Sequence, residues 1–331
     1  MIITKTPFRM SFFGGGTDVP EFFSAHGGAV ISTTFDKYCY VNVRHLPRFF
    51  EYSSEFSYSE IERVTRLRDI RHPAIREAMK VLDMHEIRLS YEADLPARTG
   101  LGTSSSFAVG MLNAFYCLKG RYVDKKKLAD EAIYLERTLC NEVGGWQDQI
   151  AASYGGLNRI DFTEAQYDVR PIIISRERKK QLNDNLMMFF TGFSRFSSEI
   201  QSVTQSRIQE NTDSLKAMLA LVDDAEAVLT HDEIDLDEFG VLLDKSWNLK
   251  QRTGKGITTE YIDTLYEKAV AAGALGGKLL GAGGGGFLLF YVPSMKRSAV
   301  TSALSELLYV PFEFEDAGSQ VVYYSPEALT R

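Results

Sequence analysis

The sequence predicts an α+β fold, because strand and helix patterns are intermingled along its 331 residues without strict βαβ alternation. Residues 87–95 alternate between apolar and polar side chains, which is the period of a half-buried strand. Residues 107–118 carry no charge and can present an apolar helical face. Residues 195–250 are nearly free of Gly and Pro and are expected to be helical.

The other elements follow from the same patterns. Strands are predicted at residues 2–10, 38–44, 156–162, 168–175, 186–191, 278–280, 287–292, 312–314 and 320–324. Further helices are predicted from residue 125, from Thr258 to Gly273, and over 294–308. The basic run at residues 176–180 indicates a solvated connection, and we expect two domains, 1–170 and 171–331.

Composition excludes several classes of function. The net charge of −7 argues against a nucleic-acid partner. Three cysteines without metal-ligand spacing indicate a reducing compartment. No uncharged run is apolar enough to span a membrane, and no signal peptide is evident. We therefore expect a cytoplasmic protein that binds neither nucleic acid nor membrane; these patterns leave the oligomeric state unknown.

The loop that follows the strand at 87–95 has the composition of a phosphate site. Glycines and hydroxyls precede a helix start, where backbone N–H groups and the helix dipole attract an anion. The alternative is an ordinary turn with a Thr or Ser N-cap. No Lys follows Gly102, so the loop is not a Walker A motif. The candidate residues are Pro96, Gly100, Leu101, Gly102, Thr103, Ser104, Ser105 and Ser106.

A second glycine-rich segment follows the first strand. Its three glycines, residues 14–16, let the backbone approach a ligand closely. Thr17 and Asp18 then offer a hydroxyl and a carboxylate at the mouth of the site, a pair suited to a polyol. The alternative is a tight turn capped by Asp18.

Two later segments have similar features. Five of the six residues at 281–286 are glycine, which favours close packing of a small molecule on the backbone. Asp148 has glycines on both sides, so its carboxylate can enter a cleft, although such an Asp is often only a turn or cap residue. Together with Arg9 and Glu136, these segments suit phosphoryl transfer from a magnesium nucleotide to a hydroxyl.

The segments resemble, in order, the three motifs of the GHMP kinase family. The first is T-P-F-R-M-S-F-F-G-G-G-T-D at residues 6–18, in which Gly15 and Gly16 replace a Glu-His pair of the sugar kinases. The second is P-A-R-T-G-L-G-T-S at residues 96–104, and the third is the glycine run from Gly281. The resemblance implies an N-terminal domain like ribosomal protein S5 domain 2 and a ferredoxin-like C-terminal domain.

The resemblance also implies the role of each site residue. The loop at 96–106 would hold ATP, while Ser104 and Glu136 would hold Mg²⁺. Asp148 would accept or orient the proton of the attacking hydroxyl, and Arg9 would keep Asp148 ionised. The residues expected to contact the acceptor are Gly15, Gly16, Thr17, Asp18, Gly145, Gly283 and Gly284.

Three stretches, F-G-G-G-T-D, G-G-W-Q-D-Q and K-L-L-G-A-G-G-G-G-F, resemble a particular branch of the family. That branch phosphorylates the anomeric hydroxyl of the sugar phosphate D-glycero-D-manno-heptose 7-phosphate, giving the 1,7-bisphosphate. L-fucose or another sugar is the alternative acceptor, and a non-catalytic sugar and nucleotide sensor is the alternative class. An acceptor phosphate would need a basic site, for which the candidates are Arg195, Lys250, Arg252 and Lys255.

Overall fold

The computed structural model describes residues 1–192 and 210–326, and its strands form two sheets. The strands are β1 (Ile2–Phe13), β2 (Gly28–His45), β3 (Ser54–Ser57), β4 (Ile61–Val64), β5 (Ile87–Ala93), β6 (Asn158–Phe162), β7 (Tyr167–Pro171), β8 (Leu186–Gly192), β9 (Gly276–Leu279), β10 (Gly286–Tyr291), β11 (Leu308–Val310), β12 (Phe314–Glu315) and β13 (Gln320–Tyr324).

The helices of the described residues cover both sheets. They are α1 (Pro20–His26), α2 (Pro73–Val81), α3 (Thr103–Leu118), α4 (Lys125–Ile133), α5 (Gln147–Tyr154), α6 (Arg176–Asn185), α7 (Thr212–Thr230), α8 (Asp237–Gln251), α9 (Glu260–Ala271) and α10 (Arg297–Ala303). A π-helical turn, Tyr134–Leu139, continues α4, and short 3₁₀ turns lie at Leu67–Asp69 and Ser294–Lys296. None of these helices is long and apolar enough to cross a membrane.

The first sheet has nine strands, with the order β13-β1-β2-β5-β3-β4 and with β6, β7 and β12 attached through the long strand β2. Its one parallel pairing among the described residues joins β3 to β5. The uncharged helix α3 packs on β1 and β2, with its hydrophobic side chains in the core. Thr4 Oγ1 donates to Gly110 O over 2.9 Å, so the helix backbone lies directly against β1.

The second sheet is antiparallel, with the order β11-β8-β10-β9. The two sheets share a core, because Phe12 and Phe13 at the end of β1 meet the ring of Phe239 on α8 edge-on, with centroids 5.4 and 5.1 Å apart. The other side of the second sheet is covered by α9 and by Trp247 of α8. This shared core fixes the end of β1, which carries the first glycine segment, against the second sheet.

The chain returns to the first sheet after the second is complete. β12 pairs with β2, and β13 pairs with β1. Between them, Gly318 packs so tightly on α5 that a methyl group there would lie 2.1 Å from Ser153 O. Residues 314–324 therefore belong structurally with the first sheet. The division into 1–170 and 171–331 stays a proposal.

Two expectations about elements were wrong. Residues 176–180 are not a solvated connection, because they begin α6 and the Arg178 side chain is buried. Its guanidinium donates to Leu229 O over 2.9 Å and to Ile234 O over 2.8 Å. The helix predicted over 294–308 stops at Ala303, and Leu308 begins β11. Arg195 and the first part of the helical region expected at 195–250 lie outside the described residues.

Candidate active site

The loop between β5 and α3 leaves the start of a buried helix open. Gly100 and Gly102 have φ angles of +84° and +71°, in the left-handed region that favours glycine. Gly102 is the N-cap residue of α3, and no side chain caps the first turn. The backbone N–H groups of that turn are therefore available to an anion, which the helix dipole also attracts.

The hydroxyl groups of this turn differ in exposure. Ser104 is exposed, whereas Thr103, Ser105 and Ser106 are buried. Ser106 Oγ donates to Pro7 O over 2.9 Å and ties α3 to β1. Ser104 is therefore the hydroxyl of this turn that a ligand reaches directly.

Pro96 and Leu101 contribute to the shape of the loop. Leu101 is fully buried, and its carbonyl oxygen accepts a bond of 3.2 Å from the Arg9 N–H. Pro96 is half-buried, and its carbonyl oxygen accepts a bond of 2.8 Å from Thr99 Oγ1. Contact between either residue and a nucleotide stays a prediction.

The glycine run at 281–286 packs on the loop itself. A methyl group at Gly281 would lie 2.3 Å from the Cα of Gly100, and one at Gly286 would lie 2.4 Å from Thr99 O. A methyl group at Gly283 would lie 2.7 Å from the Cα of Ile257. Protein backbone thus explains three glycines of the run, and substrate contact at Gly283 and Gly284 stays a prediction.

Arg9 joins this loop to Asp148. Its Nε and Nη2 donate to Asp148 Oδ1 and Oδ2 over 2.7 and 2.6 Å, and its Nη1 donates to Gly100 O over 2.7 Å. The Arg9 side chain is 6% exposed and that of Asp148 is 26% exposed. The structure therefore holds a carboxylate at the first turn of α5, open on one side and fixed by a buried cation.

Glu136 lies behind the start of α3, on the π-helical turn. Ser104 Oγ donates to its Oε1 over 2.9 Å and Ser105 Oγ to its Oε2 over 2.7 Å, and Gln149 also donates to Oε2. Burial raises the pKa of Glu136 to about 7, with the charge of Glu142 acting in the same direction and the three hydrogen bonds opposing it.

This donor set fits magnesium. One carboxylate and one exposed hydroxyl, on Glu136 and Ser104, leave coordination positions for phosphate oxygens and water, as Mg²⁺ prefers. Buried Gln149 Oε1, on a side chain that contacts Glu136, has no hydrogen-bond partner. Within 1–192 and 210–326, no cluster of three or more His, Cys, Asp or Glu side chains could hold a metal alone, so a nucleotide would have to complete the site.

The segment after β1 lies beside Asp148 but is more enclosed than expected. Thr17 is fully buried, and its Oγ1 donates to Gly14 O over 2.8 Å and to Ala29 O over 3.0 Å. The expectation that this hydroxyl lies at the mouth of the site is therefore wrong, because the turn itself uses it.

Asp18 is also buried, at 3% exposure. Its Oδ1 accepts a bond of 2.9 Å from the Gly16 N–H, and a methyl group at Gly145 would lie 1.8 Å from its Oδ2. Burial raises the pKa of Asp18, with the charge of Asp148 adding to the effect. Gly145 therefore leaves space for the Asp18 carboxylate, and the charge of Asp148 acts on that carboxylate.

Two buried polar groups near Gly15 were missed by sequence reasoning. Ser11 Oγ and Gln147 Oε1 have no partner, and a Cβ at Gly15 would lie 3.5 Å from Ser11 Oγ and 3.8 Å from Gln147 Nε2. Gln147 belongs to the G-G-W-Q-D-Q stretch, which was the available signal. Gly15 therefore lies beside two polar side chains that have hydrogen-bonding capacity left over, and contact of Gly15 with the acceptor stays a prediction.

Two lysines of the second sheet's half also reach the site. Lys278 is 3% exposed and its Nζ donates to Phe12 O over 2.7 Å, while half-buried Lys250 donates to Gly281 O. Sequence reasoning considered Lys250 only for an acceptor phosphate and missed Lys278. A lysine within the apolar strand before the glycine run was the signal for it.

Comparison with known proteins finds two matching family models, one in each half of the chain. The model of the GHMP kinases N terminal domain matches residues 69–156, and that of the GHMP kinases C terminal matches residues 224–310. The chain is 29% identical to D-glycero-alpha-D-manno-heptose 7-phosphate kinase of Campylobacter jejuni, over 96% of this chain and 97% of that protein.

Two further proteins extend the comparison. The chain is 29% identical to the bifunctional fucokinase/GDP-fucose pyrophosphorylase of Arabidopsis thaliana, over 62% of this chain but 20% of that protein. Its fold is similar to that of a D-glycero-D-manno-heptose 1-phosphate kinase from Bacteroides thetaiotaomicron, with a TM-score of 0.78, 22% identity, and coverage of 98% and 99% of the two chains.

Proposed function

The chain belongs to the GHMP kinase family and has its two-domain fold, and from this premise we propose that it phosphorylates the anomeric hydroxyl of D-glycero-D-manno-heptose 7-phosphate. Members of this family transfer a phosphoryl group from ATP to a hydroxyl, and the named relatives of this chain include sugar kinases. The product would be the 1,7-bisphosphate.

The observation that carries the proposed chemistry is the Arg9–Asp148 pair at the phosphate loop. In the proposed reaction the acceptor oxygen attacks the γ-phosphorus of ATP, and its proton passes to the Asp148 carboxylate. The bond from γ-phosphorus to the bridging oxygen breaks, and ADP leaves. Arg9 would hold the Asp148 carboxylate in the orientation for this transfer.

The loop and helix start would hold the triphosphate, through the backbone N–H groups of the first turn of α3. Mg²⁺ bound by Ser104 and Glu136 would supply charge neutralisation for the phosphate oxygens. Phosphoryl transfer needs little covalent assistance, so alignment of the hydroxyl with the γ-phosphate would supply much of the rate, roughly 7–11 kcal/mol.

The choice of acceptor rests on the relative from Campylobacter jejuni, which this chain matches over nearly the whole length of both. Ser11 and Gln147, with unpartnered buried groups near Gly15, support a polyhydroxylated acceptor. Exposed Arg252 and Lys255, which follow α8, are the described candidates for its 7-phosphate.

L-fucose is the second candidate acceptor, because two bifunctional fucokinases each match this chain at 29% identity over more than 60% of its length. Those proteins are about five times longer than the matched part, which is 20% and 22% of their length. A sensor without activity is disfavoured by the intact Arg9–Asp148 pair.

Release of ADP with Mg-ATP tests the proposal directly. The acceptors are D-glycero-D-manno-heptose 7-phosphate, the same heptose without phosphate, L-fucose, galactose and mevalonate. We expect a strong preference for the heptose 7-phosphate. Preference for L-fucose would replace the acceptor and keep the chemistry, whereas ATP binding without turnover of any acceptor would favour a sensor.

A further inference from the structure

Two lysines approach the Arg9–Asp148 pair from the second sheet's half of the molecule. Lys250, in the last turn of α8, donates to Gly281 O, and Lys278, on β9, donates to Phe12 O over 2.7 Å. Neither lysine forms an ion pair with a carboxylate of the described residues. The charge of Asp18 nevertheless acts on both of them. Each lysine therefore has a backbone carbonyl oxygen as its hydrogen-bond partner, and the charge of Lys250 acts on Lys278.

This arrangement is electrostatically unfavourable by itself. The pKa of Lys250 is lowered to about 8, mainly by burial and then by the charge of Arg9. The charge of Asp18 acts in the opposite direction but is the weaker effect. Burial also lowers the pKa of Lys278, with the charges of Lys250 and Arg9 adding to the effect. Asp18 does not offset the cost of placing charge on buried Lys278 and half-buried Lys250. An anion bound beside them would stabilise both charges, so the cluster indicates an anion in the working enzyme.

The position of Lys250 indicates which anion binds beside it. Its ammonium is fixed on Gly281, which lies against the backbone of Gly100, and Gly100 O in turn accepts from Arg9. Lys250 therefore contacts a glycine that packs on the phosphate loop, and its charge interacts with that of Arg9, which holds Asp148. This location matches a phosphoryl group between the loop and the acceptor hydroxyl, rather than a phosphate at the far end of a heptose.

We propose that Lys250 is a further catalytic residue, which donates a hydrogen bond to a non-bridging oxygen of the phosphoryl group in transfer. The ammonium stabilises charge and gives up no proton, so the balance of the reaction is unchanged. The inference rests on the proposed phosphoryl transfer to a sugar, and it is independent of which sugar is used.

The Lys250→Gln variant tests this inference, with Lys250→Arg as the variant that keeps the charge. Lys245→Gln is the matched control, because Lys245 lies on the same helix and is exposed. Rates are measured with the acceptor that gives the fastest ADP release. They are measured again with the matching form of that sugar, which lacks the distal phosphate if the first acceptor carries it and carries the phosphate if the first lacks it. Binding of ADP alone and of ADP with magnesium and aluminium fluoride, which imitates the group in transfer, is measured by calorimetry.

We expect Lys250→Gln to lower kcat by ~10²–10³-fold with either acceptor form, the range for loss of one donor to developing charge. It should weaken binding of the aluminium fluoride complex and leave ADP binding unchanged. Lys250→Arg should recover at least part of kcat and of aluminium fluoride binding, because its guanidinium keeps a charged donor at this position.

Two results would overturn the inference. One is a kcat within about threefold of wild type with unchanged binding of the aluminium fluoride complex. The other is a raised KM for the phosphorylated acceptor alone, which would make Lys250 the acceptor phosphate site. If the panel selects L-fucose, the proposed acceptor fails and the Lys250 test proceeds with L-fucose. If no acceptor turns over, equal aluminium fluoride binding by wild type and Lys250→Gln still contradicts the inference.

Discussion

Arg9 has partners on two separate segments, the carboxylate of Asp148 on α5 and the carbonyl of Gly100 in the phosphate loop. Its side chain is almost fully buried, so both partners sit in fixed positions relative to one cation. An Arg fork bonded to both oxygens of a carboxylate sets the orientation of the carboxylate. The Arg9 side chain therefore joins the proposed base directly to the phosphate loop.

The first prediction concerns Asp148. Asp148→Asn should lower kcat by ~10²–10⁴-fold, the usual contribution of a general base, because an amide cannot accept the proton. ATP binding, measured by calorimetry, should change little. Asp168→Asn, an exposed aspartate on β7, is the control and should keep full activity. Normal turnover of Asp148→Asn would exclude Asp148 as the base.

The second prediction concerns the metal. Glu136→Gln removes the carboxylate beside exposed Ser104 and should raise the Mg²⁺ concentration that gives half-maximal activity by at least tenfold. Glu164→Gln, on an exposed turn, should leave the Mg²⁺ titration unchanged. An identical titration for Glu136→Gln and wild type would remove Glu136 from the metal site.

Single residues were predictable from sequence only where a motif marks them. Arg9 and Asp148 are 139 residues apart, and the family resemblance, not spacing, predicted that they meet. Lys278 could not be predicted in the same way, because its burial depends on the packing of β9 against the end of β1. The Thr17 hydroxyl was misplaced because it bonds Gly14 O within its own turn and Ala29 O on β2, and the second of these contacts is not local in sequence.

At the scale of elements, the start of α2 depends on a carboxylate from a strand. Glu62 on β4 accepts bonds of 2.7 and 3.2 Å from the N–H groups of Arg71 and His72, and a bond of 2.5 Å from Tyr58 OH. Burial alone would raise the pKa of Glu62, but these hydrogen bonds hold it below its ordinary value of 4.5. The β3–β4 hairpin and α2 are thereby joined.

The third prediction follows from this contact. Glu62→Gln should lower the free energy of unfolding at pH 7 by roughly 1–3 kcal/mol, as for lost hydrogen bonds to a charged group. Because the folded-state pKa of Glu62 is depressed, its stabilisation is present above pH 4.5 and is lost as the pH falls through the folded-state value. Urea titrations of both proteins at pH 7 and pH 4 measure the difference.

The outcome is read against a neighbouring variant. Glu60→Gln, an exposed residue of the same hairpin, should change the free energy of unfolding by less than about 1 kcal/mol at either pH. A Glu62→Gln deficit that stays constant when the titrations are continued below pH 4, to about pH 3, would contradict a depressed folded-state pKa of Glu62.

The fourth prediction concerns the glycine run as a support for the phosphate loop. Gly281→Ala places a methyl group 2.3 Å from the Cα of Gly100 at a φ of +82°. It should raise the KM for ATP and destabilise the fold by roughly 1–3 kcal/mol through overpacking. Kinetic titration with ATP and thermal unfolding measure the two effects.

Gly120→Ala separates backbone strain from this clash. Gly120 has a φ of +67° and no atom within 4 Å of a Cβ, so its alanine variant carries the strain of about 1 kcal/mol alone. Its KM for ATP should equal that of wild type. Equal effects of the two substitutions on KM would show that contact with Gly100 is unimportant.

Elements were predicted well where a periodic pattern is sufficient. Strand β8 and helix α9, with its Thr259 cap, lie close to their predicted positions because apolar runs and caps are local signals. The basic segment of α6 was misread because the buried Arg178 guanidinium donates to backbone carbonyl oxygens at the end of α7 and just after it. Those partners are about 50 residues away, and a local pattern carries no trace of them.

At the scale of the whole molecule, the segment from β12 to β13 connects three parts of the site. Ser319 contacts Thr6 on β1 through a hydroxyl pair 2.8 Å apart, and its N–H donates to Ala152 O on α5 over 2.9 Å. Asn113 on α3 donates to Ser319 Oγ over 3.1 Å. The elements that carry Arg9, Asp148 and the phosphate loop therefore meet at one residue.

The fifth prediction is that a chain ending at residue 311 loses its cooperative thermal transition. Without β13 and Ser319, β1 loses its edge partner and α5 loses its packing on Gly318. Circular dichroism on heating measures the transition, and Ser325→Ala in the full chain is the control. A sharp transition at the wild-type temperature would show that the first sheet is complete without this segment.

The family resemblance predicted the two-domain fold, since its motifs are spread along the whole chain. It did not predict that residues 314–324 return to the first sheet. The contact between Thr6 and Ser319 spans 313 residues, and the two strands at the end have no pattern that indicates their partner. Contacts of this range are decided by the packing of the complete chain.

This return has a consequence for the timing of synthesis. A ribosome makes β1, the phosphate loop and Asp148 in the first half of translation, but Ser319 emerges only after the second sheet has been made. The nascent chain cannot complete the contacts around α5 until then. A chain that terminates before Ser319 would therefore contain Arg9 and Asp148 but lack the contacts of Ser319 that join their elements.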